Sequence, residues 1–338
     1  MRIILVFLFL CNLVWAEDEP KRLSLSNESV AVFVTNTESE KGRFAIETTG
    51  GDPSRELDDN QPLIYGRPLP WTSYTTLRID GESYVFGGKS SKRMSRGVGY
   101  GVVKKQFQNG SEIITVTDFD GIEVMQILSF LRNPMSRVKD MIQIEYVVTN
   151  KRTKTHQLGL RLMLDTMLGK NDGAPFRLKQ HAYQSEQSFS GEMLAPFWQA
   201  FDALNAPTVI AQGLLTDPRL NLTTPDRVLL SNWGLLTDNA WTIKYKEGRS
   251  FVREGELELD TALALYWNER KLAPSESIRF RSAYGLGGVA LAPGQLSLGL
   301  AIPSEFDALS PDPQLLVAYV MNNGGYTSKE TELVLDIP

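Results

Sequence analysis

The ten residues from His156 to Asp165, HQLGLRLMLD, alternate so regularly that an extended strand is the backbone that suits them. Leu158, Leu160, Leu162 and Leu164 interleave with Gly159, Arg161, Met163 and Asp165. Successive side chains of a strand point to opposite faces. The leucines therefore face a core, and Arg161, Met163 and Asp165 are expected to look toward an open surface. The strand runs directly into TMLGKNDGAPF, where Asn171, Asp172 and Gly173 break the pattern. An acidic loop carried on the end of a rigid strand is where scaffolds often present function.

The remaining sequence repeats this β character. VAVFVT and RFAIET flank a polar turn ending in Gly42, TLRI and ESYVF flank Asp80-Gly81, and GYGVVKKQF and SEIITVT flank Asn109-Gly110. Asp-Gly and Asn-Gly pairs adopt the positive φ angles of tight hairpins. MIQIEYVVTN puts Ile142, Ile144, Tyr146 and Val148 on one face, and its partner is expected to be the leucine strand across KRTKT. Further strands follow to the end of the chain, with no alternation of strands and long helices, so an antiparallel all-β super-sandwich is predicted. One helix is expected near 196–204, where Phe197, Phe201 and Leu204 have helical spacing between Pro196 and Pro207.

Met1-Arg2 and the apolar run IILVFLFLCNLVWA read as a secretory signal peptide over residues 1–16. The run is shorter than the roughly 20 residues a membrane span needs. Its removal takes away Arg2 and Cys11, so 35 Lys+Arg become 34 against 40 Asp+Glu and no cysteine remains. The expectation is an exported chain, periplasmic or extracellular, that holds together without disulfides. Mild acidity without a basic cluster excludes nucleic acid and anionic membrane as expected partners, and no second stretch approaches a membrane span. Residues 17–29 are expected to be a polar leader and 30–310 the sandwich domain. The strands in 311–338 either complete that domain or begin an immunoglobulin-like module.

GLRLMLDTMLGKNDGAPF (159–176) resembles a segment of exported bacterial β-sandwich proteins of no assigned activity, as do PFWQAFDAL (196–204), NWGLLTDNAW (232–241) and LYWNERKLAPSESIRFRSAYGLGG (265–288). That resemblance implies secretion and a β architecture. Strand number and EYVVTNKRTKTHQLGLRLMLD (145–165) also give a weaker likeness to the galactose mutarotase-like proteins. Those proteins bind sugars on a concave sheet face, where mutarotases pair an acidic base with histidine acids. This chain offers His156 in an expected turn and His181 in an expected loop.

Oxygen ligands close together around a glycine turn suit Ca²⁺, which makes Asp165, Asn171 and Asp172 a candidate structural calcium site. The same residue types also close turns through bonds to the backbone. Trp rings combine an apolar face with a polar edge and stack on sugars, so Trp71 and Trp198 are candidates to line a glycan groove beside the Asp165 loop. Asp118 and Asp120 in TDFDG would lie roughly 7 Å apart on one face of a strand, a separation that resembles glycosidase carboxylate pairs, but Gly121 follows and an acidic turn between strands is the expected reading. No Gly-x-Ser-x-Gly, HExxH or phosphate-binding loop is present. The leading expectation is a non-catalytic exported module that contacts glycan or envelope polymer, with no cofactor beyond a calcium ion. The alternative is a carbohydrate-active enzyme, an epimerase, lyase or hydrolase, that uses Asp165, Asp172, Arg161 and His181.

Overall fold

The computed structural model describes residues 21–52, 56–93, 98–179, 181–205, 207–255 and 257–287, the backbone of 296–301 and 317–322, and Val334. The expected signal segment lies outside the described residues. Strands β1 (Arg22–Ser26), β2 (Val30–Thr35) and β3 (Phe44–Thr48) form a small antiparallel sheet. Part of the stretch expected to be a loose leader is therefore a paired strand. Its alternation is short, and its pairing with β2 is what orders it.

Next come β4 (Tyr74–Ile79), β5 (Glu82–Val85), β6 (Gly99–Tyr100), β7 (Val102–Asn109), β8 (Glu112–Phe119) and β9 (Ile122–Leu131). The central strands are β10 (Met141–Asn150) and β11 (His156–Asp165). Shorter strands follow: β12 (Phe176–Leu178), β13 (His181–Tyr183), β14 (Gln187–Ser190), β15 (Phe197–Phe201) and β16 (Ile210–Leu214). After β17 (Arg227–Asn232) a short α-helix, α1 (Trp233–Asp238), precedes the long strands β18 (Thr261–Leu272) and β19 (Ser277–Leu286). The last pair is β20 (Leu296–Ala301) and β21 (Val317–Asn322).

Two large sheets make the sandwich. One has nine strands in the order β13-β12-β15-β16-β19-β10-β9-β8-β7, the other seven in the order β14-β17-β18-β11-β4-β5-β6. Among the described residues only the short β5–β6 pairing is parallel. Leu158, Leu160, Leu162 and Leu164 of the seven-stranded sheet share one buried cluster with Ile142, Ile144, Tyr146 and Val148 of the nine-stranded sheet. The Tyr146 hydroxyl, sealed between the sheets, is met by Thr75 Oγ1 at 2.6 Å and by the Gln126 amide at 2.7 Å.

The expected β10–β11 hairpin does not form. β10 pairs with β9 and β19, and β11 with β4 and β18, so residues 151–155 carry the chain from one sheet to the other. Both strands have strongly apolar faces, and these pack face to face rather than edge to edge. Asn150 secures the crossing by donating to the carbonyls of Lys154 (2.8 Å) and Leu272 (2.9 Å). True hairpins occur where the turn dipeptides placed them. Asp80-Gly81 (φ 50° and 87°) joins β4 to β5, and Asn109-Gly110 (Gly110 φ 57°) joins β7 to β8; the TDFDG turn, with Asp120-Gly121 at φ 51° and 88°, joins β8 to β9.

The segment expected to be helical near 196–204 is strand β15, inserted between β12 and β16. The spacing of Phe197 and Phe201 fits both conformations. Burial of Trp198 and Ala200 at every second position is what the sheet imposes. Among the described residues the one α-helix lies instead at 233–238. Asn232 caps it by accepting from Leu235 N at 3.1 Å. β20 pairs with β21 across the boundary expected at 310, and among the described residues neither joins another sheet. Among those residues no helix is long and apolar enough to cross a membrane.

Candidate functional site

β11 is extended and its leucines face the core, but its other face is not open. Arg161, Met163 and Asp165 are 0%, 0% and 3% exposed. They lie under a second apolar layer that includes Tyr74, Trp233, Leu236, Ile243 and Tyr266. α1 and the segment after it bring most of that cover. Arg161 fastens it: Nη1 donates to the carbonyls of Asn239 (2.5 Å) and Ala240 (2.7 Å), and Nη2 to that of Leu236 (2.8 Å). A helix leaves its last carbonyls without intrahelical donors, and a guanidinium can serve several at once. The side chain read as a candidate catalytic group is thus a sealed structural clasp.

At the end of β11, Asp165 N donates to Ser73 Oγ (2.8 Å), and Asp165 O accepts from Tyr65 N (3.0 Å). The loop beyond turns back through a short bridge between Leu168 and Asn171, with Gly169 at φ 59°. This fold-back brings Asp172 to Asp165. Asp260, one residue before β18, completes a group of three carboxylates whose nearest oxygens all lie within 4.8 Å of one another. Burial holds the Asp165 carboxyl well above the usual carboxylate range, with the charges of Asp260 and Asp172 adding to it and a hydrogen bond from Thr72 opposing. Burial, followed by the Glu258 charge, pushes Asp172 up to about 6.

Asn171 does not join this group. Its amide donates to Asp202 O (2.7 Å) and its Oδ1 accepts from Gly173 N (2.9 Å), which is the turn-closing role. His181 is exposed on β13, the edge strand of the other sheet, so it does not meet Asp165 and Asp172. Trp198 and Trp71 do not meet either. Trp198 is 1% exposed in the inter-sheet core, stacked on Tyr284 at 5.1 Å, and its indole lies over Gly213 of β16, where a Cβ would come within 2.1 Å of Nε1. Trp71 packs edge-on to Trp233 (5.7 Å) in the outer layer, with Lys92 over its ring. Asp118 and Asp120 belong to the β8–β9 hairpin turn, where Asp118 Oδ1 accepts from Gly121 N at 3.1 Å.

The outer layer opens at the opposite end of β11. There a groove of about 330 Å³ is lined by Arg78, Glu82, Ser83, Asp238, Asn239 and Trp241, among others. Gly159 makes room for it. This glycine pairs with Arg78 of β4 and faces a register shift in the β18 pairing, and a Cβ there would lie 3.0 Å from Trp241 Cη2. The missing side chain lets the indole rest on the strand itself. Arg78 lies over the Trp241 ring (5.3 Å) and forms an ion pair with Glu269 (3.3 Å). Asp238 is held by Arg93 (2.9 and 3.0 Å) and by Arg253 (2.6 Å), while Glu82 is exposed on the groove wall. Trp241 escaped the sequence reading because the helix that delivers it was not predicted. The available signal was Asn232 before Trp233 and Leu236, a capping residue followed by an i,i+3 apolar pair.

Fold and site together define an antiparallel β super-sandwich with an acidic cluster at one end of its central strand and an aromatic, polar groove at the other. No protein-family model matches the chain, and no curated protein matches it. Similar solved structures include a putative aldose 1-epimerase from Escherichia coli K12, 10% identical, covering 78% of this chain and 98% of that one with a TM-score of 0.44. A galactose mutarotase related enzyme from Lactobacillus acidophilus is 9% identical over 80% and 98% of the two chains, with a TM-score of 0.37. An aldose epimerase homologue from C. elegans is 10% identical over 79% and 99%, with a TM-score of 0.40. Likeness at this level carries nothing about activity.

Proposed function

We propose that this chain is a non-catalytic, exported saccharide-binding module and that the groove beside Trp241 holds the sugar. The observation that carries the proposal is the groove itself, where an indole and a guanidinium plane form one wall and Glu82, Ser83 and Asn239 add polar groups. A sugar ring presents an apolar C–H face and a rim of hydroxyls. The first can pack along the exposed edge of the Trp241–Arg78 pair, and the second suits carboxylate, amide and guanidinium partners. The volume is at the small end of the ~300–1,000 Å³ typical of ligand pockets, which fits a short saccharide segment rather than a long polymer gripped along its length.

The catalytic alternative retains the meeting of Asp165 and Asp172. It has lost Arg161 to the α1 carbonyls and His181 to the far sheet edge. A glycan array covering envelope and plant polysaccharide fragments, followed by calorimetric titration of the best hit, tests the proposal. The Trp241→Ala variant is expected to weaken binding by about tenfold, the equivalent of about 1.4 kcal/mol of lost stacking. An array without hits, or an unaltered isotherm for W241A, would contradict it. New reducing ends or accelerated anomer exchange, abolished by Asp172→Asn, would favour the enzyme instead.

A further inference from the structure

We propose that Asp165, Asp172 and Asp260 hold a calcium ion that locks the end of β11 to the start of β18. The inference does not depend on the saccharide groove, which lies at the other end of the strand. The two ends of one loop and a third, sequence-distant residue before β18 bring one carboxylate oxygen each within 4.8 Å of the others. A cation about 2.4 Å from each ligand spans oxygens up to about 5 Å apart, which is the reach of Ca²⁺.

The second observation is Asp165 itself. It is 3% exposed, and among the described residues its Oδ1 has no hydrogen-bond partner although it belongs to a carboxyl facing two others. Oδ1 of Asp172 likewise lacks a partner. Buried polar atoms are nearly always paired, so a buried carboxyl oxygen without a donor leaves a place that a proton or a cation can fill. No histidine or cysteine belongs to the group, so the donors are hard oxygens that select Ca²⁺ over zinc or copper. Asp172 and Asp260 are only partly buried, which leaves an entry path and room for water to fill the remaining coordination positions.

The backbone already converges here. Thr261 N donates to Asp172 O (2.9 Å), Thr166 N to Thr261 O (3.1 Å) and Trp233 N to Asp260 O (3.0 Å). An ion among the three carboxylates would brace the strand end, the loop and the helix cap together.

The test uses the exported chain stripped with EGTA and dialysed, then titrated with CaCl₂ by calorimetry, with melting curves in excess EGTA and in millimolar Ca²⁺. Single-site heat and a rise of several degrees in melting temperature are expected. Asp172→Asn and Asp260→Asn should each weaken Ca²⁺ binding on the order of tenfold or more. Both variants should melt above the wild type in EGTA, where they relieve repulsion, and below it in Ca²⁺. Asp120→Asn, at an exposed hairpin turn, serves as the control and should change nothing. Absence of heat and of any melting shift in the wild type would overturn the proposal, as would binding in D172N and D260N equal to that of the wild type.

Discussion

Asp140 illustrates at the residue scale what burial does to a carboxylate that finds hydrogen bonds but, among the described residues, no cation. It is 0% exposed just before β10, and Ser136 Oγ donates to its Oδ2 at 2.5 Å. Burial pushes its carboxyl up to about 6 against the hydrogen bonds of Ser136 and Asn133. A raised carboxylate pKa means that the folded state holds its proton longer than the unfolded chain does. Stability is therefore unaffected below about pH 4, falls as the pH rises through 6, and stays lowered above that. The Asp140→Asn variant lacks this penalty. Relative to wild type it should gain about 3 kcal/mol between pH 4 and pH 7, from roughly two pKa units at 1.36 kcal/mol each. Urea unfolding of both proteins at the two pH values measures the difference, and parallel stabilities would contradict the assignment.

At the scale of elements, β11 and α1 depend on each other. α1 is only six residues long, too short to persist without tertiary support. The Leu236 carbonyl and those of Asn239 and Ala240 just beyond the helix are collected by Arg161 from the strand beneath, while Trp233 and Leu236 share a buried cluster with Met163 and Tyr74. Arg161→Met keeps much of the volume but strands those carbonyls in an apolar layer. It is expected to cost about 2–3 kcal/mol in urea unfolding, and a loss below about 0.5 kcal/mol would mean that solvent reaches the helix end. This pairing also marks the limit of what the sequence made legible. The leucine face of β11 and the Asp80-Gly81 hairpin could be read locally, because period-two alternation and positive-φ dipeptides are local signals. Whether the opposite face stayed open depended on a helix 68 residues beyond Asp165 in the chain, with no strand periodicity to announce it. The choice between strand and helix at 197–201 likewise turned on neighbours, since β12 and β16 supply the ladder that fixes β15.

Across the whole molecule, β11 connects two different regions. From Gly159 to Asp165 is six residues of strand, about 20 Å by rise, with the Trp241 groove at one end and the three carboxylates at the other. Asp165 and Asp172 could be singled out from sequence because they lie seven residues apart around one loop. Asp260 could not, because only sheet pairing between β11 and β18 brings it near. The same holds for the groove, assembled from β4, β5 and the segment after α1.

The central claim is that recognition belongs to the glycine end of this strand and the acidic end serves the fold. Chemical-shift mapping of isotope-labelled protein, titrated with the saccharide selected on the array, tests it most directly. Perturbations are expected at the Trp241 indole N–H and at the amides of Arg78, Ser83 and Asn239. Shifts confined to the amides from Asp165 to Gly173 and around Asp260 would contradict it.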